Sequence, residues 1–295
     1  MPATARPRRS VLYMPGANAR ALEKGRTLPA DAIIMDLEDA VTPDAKELAR
    51  GQILDALSAG GYGARELIVR VNALDTPWGR DDLIAMAGCG ADAILVPKVS
   101  TAFDIDQALS VLDDHGAPES LSLWCMMETP LAILNAKEIA GASPRLGAFV
   151  MGTSDLVKDL HAAHTAMRLP MLAALSICVV AARAYGLAIL DGVHLDLADD
   201  EGFADACRQG RELGFDGKTL IHPKTLAGAN EIFAPAADEI EWSKRIIAAH
   251  AEAEAAGKGV VLVDGKLIES LHVEAAHRLM TLAETIATLE TANAA

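Results

Sequence analysis

Eight short apolar runs set the strongest limit on what this chain can fold into. They occupy residues 11–14, 32–35, 67–71, 93–96, 121–127, 147–151, 187–190 and 217–221. Most are continuously rather than alternately apolar, as strands buried on both faces are. Between them lie Ala- and Leu-rich stretches of helical length, at 44–58, 80–87, 102–112, 131–140, 172–184 and 199–214. Gly88, Gly141, Gly186 and Gly214 stand just past the ends of such stretches, where a helix C-terminus prefers glycine. Strands alternating with helices in this way predict an α/β fold, a (β/α)8 TIM barrel over residues 1–233, with a doubly wound open sheet as the alternative. After His222-Pro223 the rhythm stops. Residues 238–256 read as one long helix, 257–259 break it, 260–263 are strand-like, Asp264-Gly265 makes a turn, and a last helix starts near Val273. Residues 234–295 are therefore expected to form a C-terminal appendage rather than a second full domain.

Composition narrows the function classes. Formal net charge is −15, from 26 Lys and Arg against 41 Asp and Glu. A general nucleic-acid binder needs a basic face to neutralise phosphates, so nucleic acid is not an expected partner. A small anionic ligand stays open, because a few local cations can make a positive pocket on an acidic body. Aromatic residues are only 4% of the chain, which leaves Ala, Leu, Val and Ile to build the core. Cys89, Cys125, Cys178 and Cys207 are scattered with no CxxC pair, which predicts reduced, mostly buried thiols and a cytoplasmic protein. Arg6, Arg8 and Arg9 lead into only a short apolar stretch, so no signal peptide is expected. The longest uncharged run, 169–182, is too short to span a bilayer.

In a barrel the chemistry sits where strands end, at the C-terminal face. The residues at those ends are Asp36, Glu38 and Asp39; Arg70 and Asn72; Lys98; Glu128; Ser154 and Asp155; Asp191 and His194; and His222. Glu128 and Asp155 follow neighbouring strands, and two adjacent hard carboxylates suit Mg²⁺. The competing reading is that Asp155 only caps the next helix. Paired Cys and His ligands are absent, which disfavours structural zinc. Arg70 lies inside an apolar strand, where an unpartnered guanidinium is costly. It either pairs with a rim carboxylate such as Glu38 or waits for an anionic ligand. The run Asp36-Leu37-Glu38-Asp39 needs cations nearby; it is either a solvated loop or a set of groups orienting metal-bound water and Arg70. Pro15-Gly16-Ala17-Asn18 opens a helix carrying Arg20, Lys24 and Arg26, a weak phosphate-site signal. No GxSxG elbow supports Ser-His-Asp hydrolysis, and His161 and His164 read as helix-surface residues.

Taken in order, several segments resemble the citrate lyase β-subunit-like family within the HpcH/HpaI aldolases. They are Arg9-Ser10…Pro15-Gly16, Ala30–Val41, Val69-Arg70-Val71-Asn72, Leu95-Val96-Pro97-Lys98, Glu128-Thr129-Pro130 and Gly152-Thr153-Ser154-Asp155-Leu156. Asp191-Gly192-Val193, Gly214-Phe215-Asp216-Gly217-Lys218, Ile221-His222-Pro223 and Val263-Asp264-Gly265-Lys266 continue the likeness, so it covers nearly the whole chain. The resemblance implies a TIM barrel with a C-terminal lid, assembled as a homotrimer or hexamer. It implies Mg²⁺, or Mn²⁺ in its place, on Glu128 and Asp155. Arg70 would hold an acyl oxygen, with Glu38 and Asp39 beside it. Asp264 would arrive from a neighbouring subunit as the acid–base group, and Arg20 and Lys24 would meet the CoA phosphates. The implied activity is C–C cleavage of a short 3-hydroxyacyl-CoA such as malyl-CoA, giving acetyl-CoA and glyoxylate. Hydrolysis of the same thioester in the same site is the first alternative. A non-catalytic CoA-binding protein, or a citrate lyase β subunit served by an acyl carrier, is the second. Residues 269–274, Glu-Ser-Leu-His-Val-Glu, depart from the lyase pattern, in which a Pro often stands.

Overall fold

The structure, a computed structural model, describes residues 6–294, and these divide into two compact units, one spanning Arg8–Phe233 and the other containing residues 234–294. The strands of the first unit are β1 Ser10–Pro15, β2 Ala32–Asp36, β3 Glu66–Arg70, β4 Ala93–Val96, β5 Ser122–Met127, β6 Leu146–Met151, β7 Ala188–Asp191 and β8 Gly217–Leu220. All pair in parallel with their sequence neighbours, and β8 returns to β1 through Ser10↔Lys218, Val11↔Thr219 and Leu12↔Leu220. The sheet is thus a closed barrel, and the open-sheet alternative is excluded. Closure needs Gly217, because a Cβ there would stand 1.8 Å from the Arg8 carbonyl oxygen.

Helices cover the outside: α1 Ala19–Gly25, α2 Lys46–Ala59, α3 Gly79–Met86, α4 Ala102–Asp114, α5 Pro130–Leu134, α6 Ala136–Ala140, α7 Thr153–Asp159, α8 Leu172–Tyr185, α9 Asp200–Leu213 and α10 Leu226–Phe233. The single helix expected over 131–140 is in fact two. The break falls at Asn135, whose side-chain amide is drawn off to donate to the Ser100 carbonyl at 2.9 Å. His161 and His164 lie in the connection after α7, not on a helix surface.

Side chains alternate between the barrel interior and the helix layer, as strand geometry requires. Val11, Ala32, Ile34, Ile68, Ala93, Leu95, Trp124, Met126, Ala148, Val150 and Leu190 fill the interior, so the barrel is a packed core and not a pore. Ile33, Met35, Val69, Ile94, Phe149 and Ile189 face the helices. Around the amino-terminal end, the Arg8 guanidinium stacks 5.2 Å from the Trp124 ring and pairs with Glu66. Arg9 grips the buried Asp31 bidentately, its Nε and Nη2 donating to the two carboxylate oxygens. Cys125, Cys178 and Cys207 are buried free thiols and Cys89 is partly buried. Among the described residues, no helix is long and apolar enough to cross a membrane.

One buried ion cluster ties the last strands together. Asp191, fully buried, accepts from Lys218 Nζ at 2.9 Å and from Arg168 Nη1 at 2.7 and 2.8 Å. Burial pushes its carboxyl up, but Lys218 and Arg168 outweigh that and hold it below the ordinary range. Its stabilising contribution is complete above the unfolded value, about 3.9, and is lost as pH falls through the lower folded value. Asp191→Asn is expected to cost about 3–5 kcal/mol, because it strands two buried cations. It should also remove that acid-sensitive contribution below about pH 4. Urea unfolding at neutral pH and an acid titration by circular dichroism check both.

The second unit has its own small core of Ile246, Ile268 and Ala276, with Trp242, Val261, Val263 and Val273 packed on it. It is built from α11 Ala237–Ala255, an antiparallel hairpin of β9 Val261–Val263 and β10 Lys266–Ile268, and α12 Ser270–Ala294. Its last helix starts three residues before the expected Val273. Asp264 and Gly265 form the two-residue hairpin loop, both with positive φ (48° and 77°), the geometry that an Asp-Gly pair favours.

Candidate active site

The inward rungs of the barrel decide which strand-end groups meet. Ile34, Ile68 and Met126 point inward, so the next inward positions are Asp36, Arg70 and Glu128. Arg70 is the hub. Its Nε and Nη2 donate to Asp36 Oδ1 and Oδ2, both at 2.7 Å. Its Nη1 lies 2.8 Å from Glu38 Oε2 and 3.5 Å from Asp39 Oδ2. The guanidinium sits 4.7 Å from the Tyr13 ring, with the Met126 sulfur 3.7 Å from Nη1. The structural partner that the sequence asked for is therefore Asp36 first and Glu38 second. Asp36 also accepts the backbone N–H groups of Glu38 and Ala40, which folds the chain sharply after β2.

Lys46 locks that turn from behind. Its buried ammonium donates to the Leu37 and Glu38 carbonyls and to Asn72 Oδ1, at 2.7, 2.8 and 2.7 Å. Burial pushes the Glu38 carboxyl up to about 8 against the pull of Arg70, with the charges of Asp39, Glu128 and Asp36 adding to the rise. Near neutral pH the acidic turn therefore carries less charge than its sequence suggests.

The second half of the site is the acid pair. Glu128, 1% exposed, accepts the Lys98 backbone N–H at 2.7 Å. Asp155 is the third residue of α7 and does not cap it; Gly152 stands at the cap, without a side-chain bond. Both carboxylates converge on one cation, the Lys98 ammonium, 2.8 Å from Asp155 Oδ2 and 3.5 Å from Glu128 Oε1. Burial raises the Glu128 carboxyl, opposed by Lys98. Gly152 makes the space: a Cβ there would lie 2.4 Å from both Glu128 Cβ and Oε2.

Arg70, the acidic turn and the acid pair face a single cavity of about 320 Å³. Tyr13, Asp36, Asp39, Arg70, Glu128 and Asp155 line it. Its size suits the acyl end of a small ligand. Among the described residues, no three His, Cys, Asp or Glu side chains gather as a metal cluster. An ion held here would have two hard carboxylate ligands and take the rest from water or ligand oxygens, which fits Mg²⁺ and not structural Zn²⁺.

Other expected residues lie elsewhere. Arg20 and Lys24 are exposed on α1 and do not line the cavity. His194 packs edge-on against Phe203, and His222 Nδ1 accepts the Lys224 N–H. Asp264 belongs to the second unit, where Arg245 Nη1 holds its carboxylate at 2.6 Å. Tyr13 and Lys46 escaped the sequence reading. Tyr13 was findable as the inward residue two places after Val11. Lys46 looks like any first-turn helix lysine.

A closed parallel barrel with its charged groups gathered where the strands end defines the class of protein, a (β/α)8 barrel with a strand-end site. Residues 9–223 match the HpcH/HpaI aldolase/citrate lyase family, and the chain belongs to it. It is 51% identical to a (3S)-malyl-CoA thioesterase of Cereibacter sphaeroides, over 96% of this chain and 97% of that one. It is 35% identical to an L-malyl-CoA/beta-methylmalyl-CoA lyase of the same species, over 96% of each chain. In fold it resembles the CitE protein of Mycobacterium tuberculosis solved with magnesium, acetoacetate and coenzyme A. The TM-score is 0.78 at 26% identity, covering 96% of this chain and all of that one.

Proposed function

We propose that this protein hydrolyses the thioester of a short 3-hydroxyacyl-CoA of the malyl-CoA kind. The observation that carries the reading is a fixed guanidinium and an acid pair, Glu128 buried and Asp155 partly so, facing one small cavity. The near full-length likeness to a thioesterase supports hydrolysis ahead of carbon–carbon cleavage, reversing the order that the sequence alone suggested. Glu128 and Asp155 would hold Mg²⁺, which supplies Lewis acidity and a template for the hydroxy-acid oxygens.

Arg70 stabilises the negative oxygen that develops on the thioester carbonyl. Asp36 keeps the guanidinium in one plane, so no reorganisation is needed as charge builds. A carboxylate base takes a proton from water as its oxygen bonds to the carbonyl carbon. The C–S bond then breaks, and the thiolate takes up a proton and leaves as CoA. Asp264 from a neighbouring copy is the proposed base, in a homotrimer or hexamer that light scattering would size. Arg20 and Lys24 are proposed contacts for the CoA phosphates.

The lyase remains a second reading, favoured by the malyl-CoA lyase likeness. There the 3-hydroxyl loses its proton, the C–C bond breaks, Arg70 steadies the thioester enolate, and Asp264 returns a proton to carbon. Purified protein given malyl-CoA and Mg²⁺ separates the readings. Free malate with CoA is the expected result, glyoxylate with acetyl-CoA indicates the lyase, and no turnover indicates a CoA-binding or carrier-dependent subunit. Asp264→Ala is expected to lower kcat by about 10²–10⁴. Unchanged turnover would remove Asp264 from the mechanism.

A further inference from the structure

Lys98 stands out among the groups that the reaction does not use. It is a non-glycine residue with φ of 54°, in the left-handed region that side chains rarely adopt. That backbone serves two ends at once. Its N–H points at Glu128 Oε1, while its side chain runs between Glu128 and Asp155. The ammonium is half-covered, not fully buried, its side chain 37% exposed, so it has a way out toward solvent. Two carboxylates, one of them buried, would repel each other without a cation between them.

We propose that Lys98 is a built-in counter-ion for the acid pair, holding the two carboxylates in place and being displaced when a divalent cation binds. The inference rests on the reading of Glu128 and Asp155 as metal ligands. A tethered ammonium and a divalent ion cannot share one position between the same oxygens. Metal affinity is therefore set below what the bare pair would give, and the metal-free protein avoids exposing an unpaired acid pair.

The test uses Lys98→Met, which keeps the stem and removes the charge, and Lys98→Gly, which suits the left-handed backbone. Mn²⁺ binding followed by electron paramagnetic resonance should tighten by about tenfold in both variants. Without metal both should melt at a lower temperature than the wild type, and saturating Mg²⁺ should close that gap. Lys158 supplies the control for a surface charge that neighbours only one of the two carboxylates. It is exposed, 3.9 Å from Asp155 on the helix surface, and does not lie between the two carboxylates. Lys158→Met should change Mn²⁺ affinity by less than about twofold. Equal or weaker Mn²⁺ binding in the Lys98 variants overturns the proposal, as does an equal gain in Lys158→Met. If neither wild type nor variants bind Mn²⁺, the metal reading itself has failed, and the counter-ion proposal falls with it.

Discussion

Arg70→Lys is expected to lower kcat/KM by about 10³, with folding preserved. Removing one preorganised donor at a developing oxyanion typically costs about 10²–10³ in rate, and here the planar fork is lost as well. Lysine keeps a positive charge for Asp36 but cannot span both of its oxygens at 2.7 Å while presenting a further donor toward the cavity. Arg70→Met goes further, because Asp36 is fully buried and would lose its counter-charge. That variant should be destabilised by about 3–5 kcal/mol. The double variant Arg70→Met with Asp36→Asn should recover much of the stability and none of the activity. Chemical denaturation alongside product-resolved kinetics separates the two effects. If Arg70→Lys retains more than about a tenth of wild-type kcat/KM, Arg70 does not hold the developing charge.

Gly152→Ala is the second large effect expected. The added methyl would need the position now held by Glu128, 2.4 Å from its Cβ and from Oε2. Glu128 cannot retreat easily, because its other oxygen is fixed by the Lys98 N–H at 2.7 Å. The acid pair should splay, and catalytic groups displaced by about 1 Å typically lose about 10² in rate. Mn²⁺ affinity should fall at least about tenfold, with a stability loss of about 1–3 kcal/mol from overpacking. Calorimetric Mn²⁺ titration and a thermal melt check both numbers. A variant that binds Mn²⁺ normally would show that Glu128 is not a ligand.

Much of this was legible in the residues. Strands buried on both faces read as unbroken apolar runs, so the barrel could be counted before it was seen. Asp36, Arg70 and Glu128 were visible because each interrupts or ends such a run with a charge. Which carboxylate pairs with Arg70 was not legible. Asp36, Glu38 and Asp39 crowd into four residues, and only the end of β2 decides that Asp36 still belongs to the inward ladder. The turn at Lys98 hid its role for a similar reason, since a positive φ at a lysine leaves no trace in composition. The Arg168–Asp191–Lys218 cluster joins a loop to two strands, and no periodicity announces such a meeting. The break at Asn135 depends on a bond to Ser100, thirty-five residues away.

The filled interior around Trp124 and its neighbours leaves the chamber above it with a floor and no back exit. Whatever enters by its small end must leave the way it came, past anything still lodged at the entrance. A ligand split in two inside such a well can release its inner fragment only after the outer half has departed. Traffic through the doorway, as much as bond breaking, can therefore set the pace of turnover.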